Sequence, residues 1–282
     1  MKFRLWPLVT VVSVLAAALV ATGCGDKSAS SSVPPDQRVK TALDNTANIK
    51  SGKSRIDATI AVGSVPGSFK LTGGGPFDTE APGGAAFDID LKVNVAGFDQ
   101  TIGLIAVDGK NYVQIGDKAF VSKKGDNASG AIDPKTIQDL FGSLDKYVTD
   151  VKLTGTKTVD GQQLDVYSMT IDLSALAKDS VGKNDAKGAS IPGLGNISDF
   201  ATSLGKATAT VGIGPDDFAH QIGINASAGA TGAAGGGGGI KGTLYLSDIN
   251  KPVTIDKPAN VVTDSSALQA LGGMLGGLSG GQ

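Results

Sequence analysis

Phe87, Ile89, Leu91, Val93 and Val95 alternate without a break with Asp88, Asp90, Lys92 and Asn94. A hydropathy period of two puts every apolar side chain on one side of an extended strand and every polar one on the other. Such a strand needs a sheet with one face buried and one in water, and antiparallel sheets supply that. The same signal recurs along the chain. Ile56, Ala58, Ile60 and Val62 alternate with polar neighbours, and Phe69 with Leu71 opens a shorter run. Residues 102–107 and 111–115 flank Asp108-Gly109, a favoured hairpin pair. Gly116-Asp117-Lys118 then turns the chain into Ala119-Phe120-Val121, and Asp160-Gly161 joins 151–159 to 164–173. Extended segments return at 207–213, 221–228, 240–247 and 253–258.

Helical signals are fewer. Val39, Leu43 and Ala47 recur every four residues behind a capping Asp36, which predicts a helix over 36–50. Asp133 caps a second helix and Pro134 suits its first turn; Ile137, Leu140, Phe141, Leu144 and Val148 line one side of it. Shorter helical patches cover 174–181 and 198–204. Strands joined by tight turns, with helices between them, predict an α+β fold: a single antiparallel sheet with helices packed on one face. Gly235 to Gly239 form a loop in the last hairpin. Beyond Thr263, Leu268, Leu271, Leu275 and Leu278 have helical spacing, but each intervening glycine weakens a helix by about 1 kcal/mol. Residues 264–282 are therefore expected to be a flexible Gly-rich tail.

The N-terminus specifies an address. Lys2 and Arg4 precede a run from 5 to 20 that is apolar except for Pro7, Thr10 and Ser13. That run is shorter than the roughly 20 residues a spanning helix needs, so 1–23 is expected to be a cleaved signal peptide. The junction Val20-Ala21-Thr22-Gly23-Cys24 resembles the lipobox of bacterial lipoproteins, with Ala21 where a branched aliphatic residue is usual. Two or three acyl chains on Cys24, at about 0.8 kcal/mol per buried CH₂, would anchor the protein durably. The expected location is the extracytoplasmic face of the cell membrane. The Ser-rich stretch 24–35 ends in Pro34-Pro35 and forms a tether with a reach under about 40 Å. The folded domain is then 36–263.

Composition and motifs narrow the chemistry. With 25 Lys+Arg against 27 Asp+Glu and no polybasic patch, nucleic acid is not expected as a partner. A single Cys makes no intramolecular disulfide. His220, the only histidine, lies in Pro215-Asp216-Asp217-Phe218-Ala219-His220 without a nucleophile-elbow motif, and is expected to be a surface strand residue beside an Asp-shaped turn. Glu80 is the only glutamate, so a glycosidase pair would have to be aspartates. Asp88 and Asp90 share a face, but with Lys92 and Asn94, which predicts a solvated surface. The ligands of a zinc site are missing, and the Gly235–Gly239 run lacks the Lys-Ser/Thr of a phosphate loop. No catalytic residue, metal or cofactor is expected.

The order of these elements resembles the actinobacterial lipoproteins LppX, LprA, LprF and LprG, and more distantly the LolA-like carriers. The resemblance rests on Cys24 with its tether and on a helix running into Ser54-Arg55-Ile56-Asp57-Ala58-Thr59. It continues through Val107-Asp108-Gly109-Lys110-Asn111-Tyr112-Val113, the helix after Asp133-Pro134, Val159-Asp160-Gly161-Gln162-Gln163 and the closing Lys251-Pro252-Val253-Thr254-Ile255-Asp256-Lys257-Pro258. It implies a curved sheet, or half-barrel, whose concave face and helices enclose a cavity for acyl chains. It also implies a lipid or glycolipid cargo moved across the cell envelope, with an envelope transporter as a further partner.

The residues themselves leave two interiors open. Ala209 and Val211, Ile224 and Ala226, and Gly242 and Leu244 fall on one face of the later strands, opposite Ile89, Leu91, Val93 and the helix with Leu140, Phe141 and Leu144. Small inward side chains leave apolar volume that accepts hydrocarbon. Equally, they let neighbouring elements close in and fill the space. The first arrangement makes a lipid carrier, the second a solid structural or protein-binding lipoprotein.

Overall fold

The computed structural model describes residues 33–61, 68–95, 98–121, 142, 144–176, 190–191, 195–196, 202–227 and 238–262. The expected signal peptide, Cys24 and most of the expected tether lie outside these residues. So do Leu140, Phe141 and most of the helix expected after Asp133, the Gly-rich loop up to 237, and the tail.

Helix α1 (Pro35–Ala47) begins with proline in its first turn and Asp36 at the positive end of the helix dipole. It buries Val39, Ala42, Leu43 and Thr46, a stripe at three- and four-residue spacing. The strands follow: β1 (Ser51–Ala61), β2 (Ser68–Asp78), β3 (Ala86–Val95), β4 (Phe98–Val107), β5 (Lys110–Ile115) and β6 (Lys118–Val121). After a 3₁₀ turn (Asp145–Tyr147) come β7 (Val148–Val159), β8 (Gln162–Asp172), the short pair β9 (Ser190–Ile191) and β10 (Gly195–Asn196), then β11 (Lys206–Ile213), β12 (Ala219–Ser227), β13 (Gly239–Ser247) and β14 (Val261–Val262). Of the later helical patches, 173–176 and 202–204 are helical and the remainder is outside the described residues.

Twelve strands form one open, curved sheet in the order β14-β6-β5-β4-β3-β2-β1-β13-β12-β11-β8-β7. Two runs of neighbouring strands, β1–β6 and β7, β8, β11–β13, are joined where β1 pairs with β13, and β9 and β10 pair apart as a two-stranded sheet. Both expected hairpin turns have positive φ at two consecutive residues, 53° and 69° at Asp108-Gly109 and 48° and 82° at Asp160-Gly161. That sense of turn matches the twist of the strands it joins. The sheet departs from expectation in two places. β14 runs parallel to β6, so the sheet is mixed rather than wholly antiparallel. β2 is also longer than its apolar residues suggest, because Gly73, Gly74 and Gly75 carry no side-chain signal yet pair along their length with β1.

The central strands give one face to the interior, while β7 at the edge is largely exposed. On the inner face α1 packs Val39, Ala42 and Leu43 against Tyr167, Met169, Ala209 and Val211. A second inner cluster gathers Phe87, Ile89, Leu91 and Ala106. On the outer face the segment 248–262 runs back across the sheet. It is held by Asn250 N donating to Ser51 O at 2.8 Å and by Ala119 N donating to Asn260 O at 2.9 Å. Val261 then covers Ile105, Tyr112 and Ala119.

That return segment corrects the expectation of a solvated Asp88. The residue is half-buried, and its carboxyl is pushed above the ordinary range, first by burial and then by the charges of Asp90 and Asp256. A carboxyl raised on folding favours the folded state while protonated, and opposes it once pH exceeds its folded value. Replacing Asp88 with Asn should therefore raise the melting temperature at about pH 7, and the gain should vanish at about pH 3, where the aspartate is already neutral. Thermal melts at the two pH values check this.

Candidate apolar site on the inner sheet face

Strand register assembles the site. The cross-strand row Leu71–Ala58–Gly242–Ile224–Ala209–Met169 runs over β2, β1, β13, β12, β11 and β8. One side of it is the row Ile56–Leu244–Ile222–Val211–Tyr167, and the other is Phe69–Ile60–Ile240–Ala226. Residues directly opposite in an antiparallel pair share a face, so the three rows form one continuous apolar surface. The middle row is the shallow one. Ala58 and Gly242, with Ala209 farther along, are its small residues, and the first two sit among Ile56, Leu244, Ile60 and Ile240. Large side chains ringing small ones leave a depression floored by Ala58 and Gly242.

The two ends of this surface differ. Toward β8 and β11 it is filled: Ala209 and Val211 are each 2% exposed, Ala226 is 4%, and Leu144 packs into the same cluster. Around β1 and β13 burial by the described residues is less complete. Ile56, Ala58, Ile60, Leu71, Ile224, Gly242 and Leu244 are all half-buried. Of the expected lining, Ala209, Val211, Ile224, Ala226, Gly242 and Leu244 fall in these rows, and Leu144 packs against them. Ile89 and Leu91 are buried in the β3 cluster and Val93 is half-buried, while Leu140 and Phe141 fall outside the described residues. Sequence reasoning missed Ile56, Ala58 and Ile60 as site residues. Their alternation was legible, but β1 lies beside β13 only through a pairing between the two ends of the domain.

Polar groups edge the filled end and pin α1 there. Arg38 pairs with the Asp217 carboxylate, Asn45 Nδ2 donates to Asp217 O at 3.0 Å, and Ala219 N donates to Thr46 Oγ1 at 3.0 Å. Lys40 Nζ donates to Asp145 Oδ2 at 2.5 Å, and this bond holds the Asp145 carboxyl below its usual range. The expectation of a surface His220 fails. The residue is 8% exposed: β12 carries one extra residue opposite Gly212–Ile213, and this bulge falls at His220. Its ring partners are Asp216, Gln162 and the Leu246 carbonyl, with no hydroxyl or thiol among them. Among the described residues no three His, Cys, Asp or Glu side chains gather as metal ligands. A groove of about 330 Å³ on the outer face is lined by Lys53, Asp248, Lys251 and Thr254 together with Pro76, Pro252 and Val253.

Comparison with known structures bears on the architecture. LprF from Mycobacterium bovis matches with a TM-score of 0.52 at 17% identity, over 80% of this chain and 97% of that one. The chain is similar in fold to LprF. Lower scores are found for the Mycobacterium tuberculosis lipoprotein LppX (TM-score 0.36, 18% identity, 79% of this chain and 98% of that one) and for a LolA superfamily protein from Nitrosomonas europaea (0.27, 8%, 79% and 95%). No family model matches the chain, and no curated protein matches it in sequence.

Proposed function

We propose that this protein binds the acyl chains of a lipid or glycolipid on its inner sheet face and carries them across the cell envelope, held to the membrane through acylated Cys24. The observation that carries the reading is the depression over Ala58 and Gly242: apolar, half-buried and bordered by isoleucine and leucine. Hydrocarbon laid along it leaves water at about 0.8 kcal/mol per methylene, and the apolar wall offers no group for a reaction. The likeness to the LprF fold and the lipobox-like Cys24 support the same reading. The carrier does no chemistry: shielding the acyl tails is the whole of its task, and an envelope transporter would receive them.

One observation favours the solid scaffold instead, namely the complete covering of Ala209 and Ala226. The two readings separate in native mass spectrometry of a Cys24→Ser chain purified without detergent. A carrier should show added masses that disappear on organic extraction and correspond to lipids. A chain found only at its bare mass, from cells rich in envelope lipid, would leave the scaffold.

A further inference from the structure

The turn from Gly214 to Ala219 connects α1 to a buried histidine. On one side it holds the helix, through Asp217 to Arg38 and Asn45 and through Ala219 to Thr46. On the other it carries Asp216, whose two carboxylate oxygens lie 2.9 and 3.0 Å from His220 Nε2. Two further groups meet the ring: Leu246 O at 3.1 Å from Nδ1 and Gln162 Nε2 at 3.2 Å from Nε2.

The demands of these partners conflict. A carbonyl only accepts, so Nδ1 must carry a proton to bond Leu246. At Nε2 the Asp216 carboxylate only accepts, while the Gln162 amide nitrogen only donates. A charged ring satisfies Asp216, and Gln162 can then turn its amide oxygen inward. A neutral ring protonated at Nδ1 accepts from Gln162 and points a lone pair at the carboxylate. Asp216 is 43% exposed and free to swing into water, whereas the histidine side chain, at 9%, is not.

We propose that His220 is a proton-operated clamp on α1. With a charged ring it grips Asp216 and tightens the turn, and with it the helix, on the sheet; with a neutral ring it bonds Gln162 and frees Asp216, leaving the turn to its backbone bonds from Gly214 N to Phe218 O and from Asp217 N to Gly214 O. The charged groups around it are Asp216 on its own turn, Asp217 paired with Arg38 of α1, and Lys157 of β7, which donates to Gln221 Oε1 at 3.2 Å one residue along. β8 and β13 face the ring with Gln162 and a carbonyl, neither of which changes charge. The hold on α1 is therefore present with the ring charged and weakens when it loses its proton, so it falls as pH rises.

Hydrogen exchange of the α1 amides in the full chain, corrected for intrinsic exchange, tests the clamp. Protection of α1 should fall about tenfold between about pH 5 and 8, the scale of one charge-assisted hydrogen bond, while β3 and β4 amides stay constant. Asp216→Asn, at an exposed site, and His220→Gln should each flatten that profile. A wild-type α1 whose protection does not change over this range overturns the proposal, as does an Asp216→Asn chain that keeps the change. The constant β3 and β4 amides identify any variant that has lost its fold, and the asparagine variant then decides. An effect on loading rests on the carrier reading. The helix measurement does not, so the two ideas fail separately.

Discussion

Gly74→Ala should cost about 4 kcal/mol or more, a large part of the 5–15 kcal/mol that holds a typical domain together. A Cβ at this position would stand 2.0 Å from Ser54 O and 2.7 Å from Arg55 Cα, both backbone atoms of β1. No rotamer change relieves such a contact; β1 and β2 would have to separate. Gly74 also has φ 151°, a backbone conformation that side chains of L-residues rarely adopt. Its neighbours behave alike, since a Cβ on Gly73 would meet Asp90 O at 1.9 Å and one on Gly75 would meet Asp88 O at 1.8 Å. The three glycines let β2 lie closer to β1 and β3 than any side chain would allow, and β1 carries half of the depression. Urea denaturation gives the measurement. Gly142→Ala is the control, because its added methyl would touch only Ala47 Cβ at 3.6 Å and should shift stability by no more than about 1 kcal/mol. If Gly74→Ala melts within 1 kcal/mol of wild type, the close approach of β2 is wrong.

Ala58→Phe should leave the fold intact and remove most lipid binding. The position is half-buried, opposite Gly242, and its new ring would lie in the depression instead of in the core. Displacing about three methylenes of a bound chain, at about 0.8 kcal/mol each, weakens affinity on the order of fiftyfold. Ala226→Phe is the informative comparison. Ala226 is 4% exposed within the α1 cluster, so overpacking there should cost about 1–3 kcal/mol of stability. Titration of a fluorescent fatty acid, alongside thermal melts, reads both effects. Equal loss of stability in the two variants would mean that the middle of the inner face is as solid as its α1 end, and the carrier reading would go with it.

Local chemistry was legible where one residue's neighbours in sequence decide its environment. The alternation of Phe87 through Val95, the Asp-Gly turns and the stripe of α1 all form as their spacing predicts. What failed were positions ruled by distant chain. Gly73 to Gly75 interrupt the strand signal, although the sheet needs them there. His220 sits in an ordinary alternating run, and only the fold supplies the bulge against β11 and the partners that bury its ring. Asp88 looks solvated until residues 248–262 cross over it.

By itself, then, the order of side chains determined which stretches are strands, which face of each is apolar and where the hairpins turn, because hydropathy period and turn conformation are properties of a few adjacent residues. Only the tertiary structure decided that β1 lies against β13, and so that Ala58 and Gly242 meet to floor one depression while Ala209 and Ala226 are buried beneath α1. A pairing between the two ends of a domain is selected by the packing of the whole sheet, and no local pattern records it.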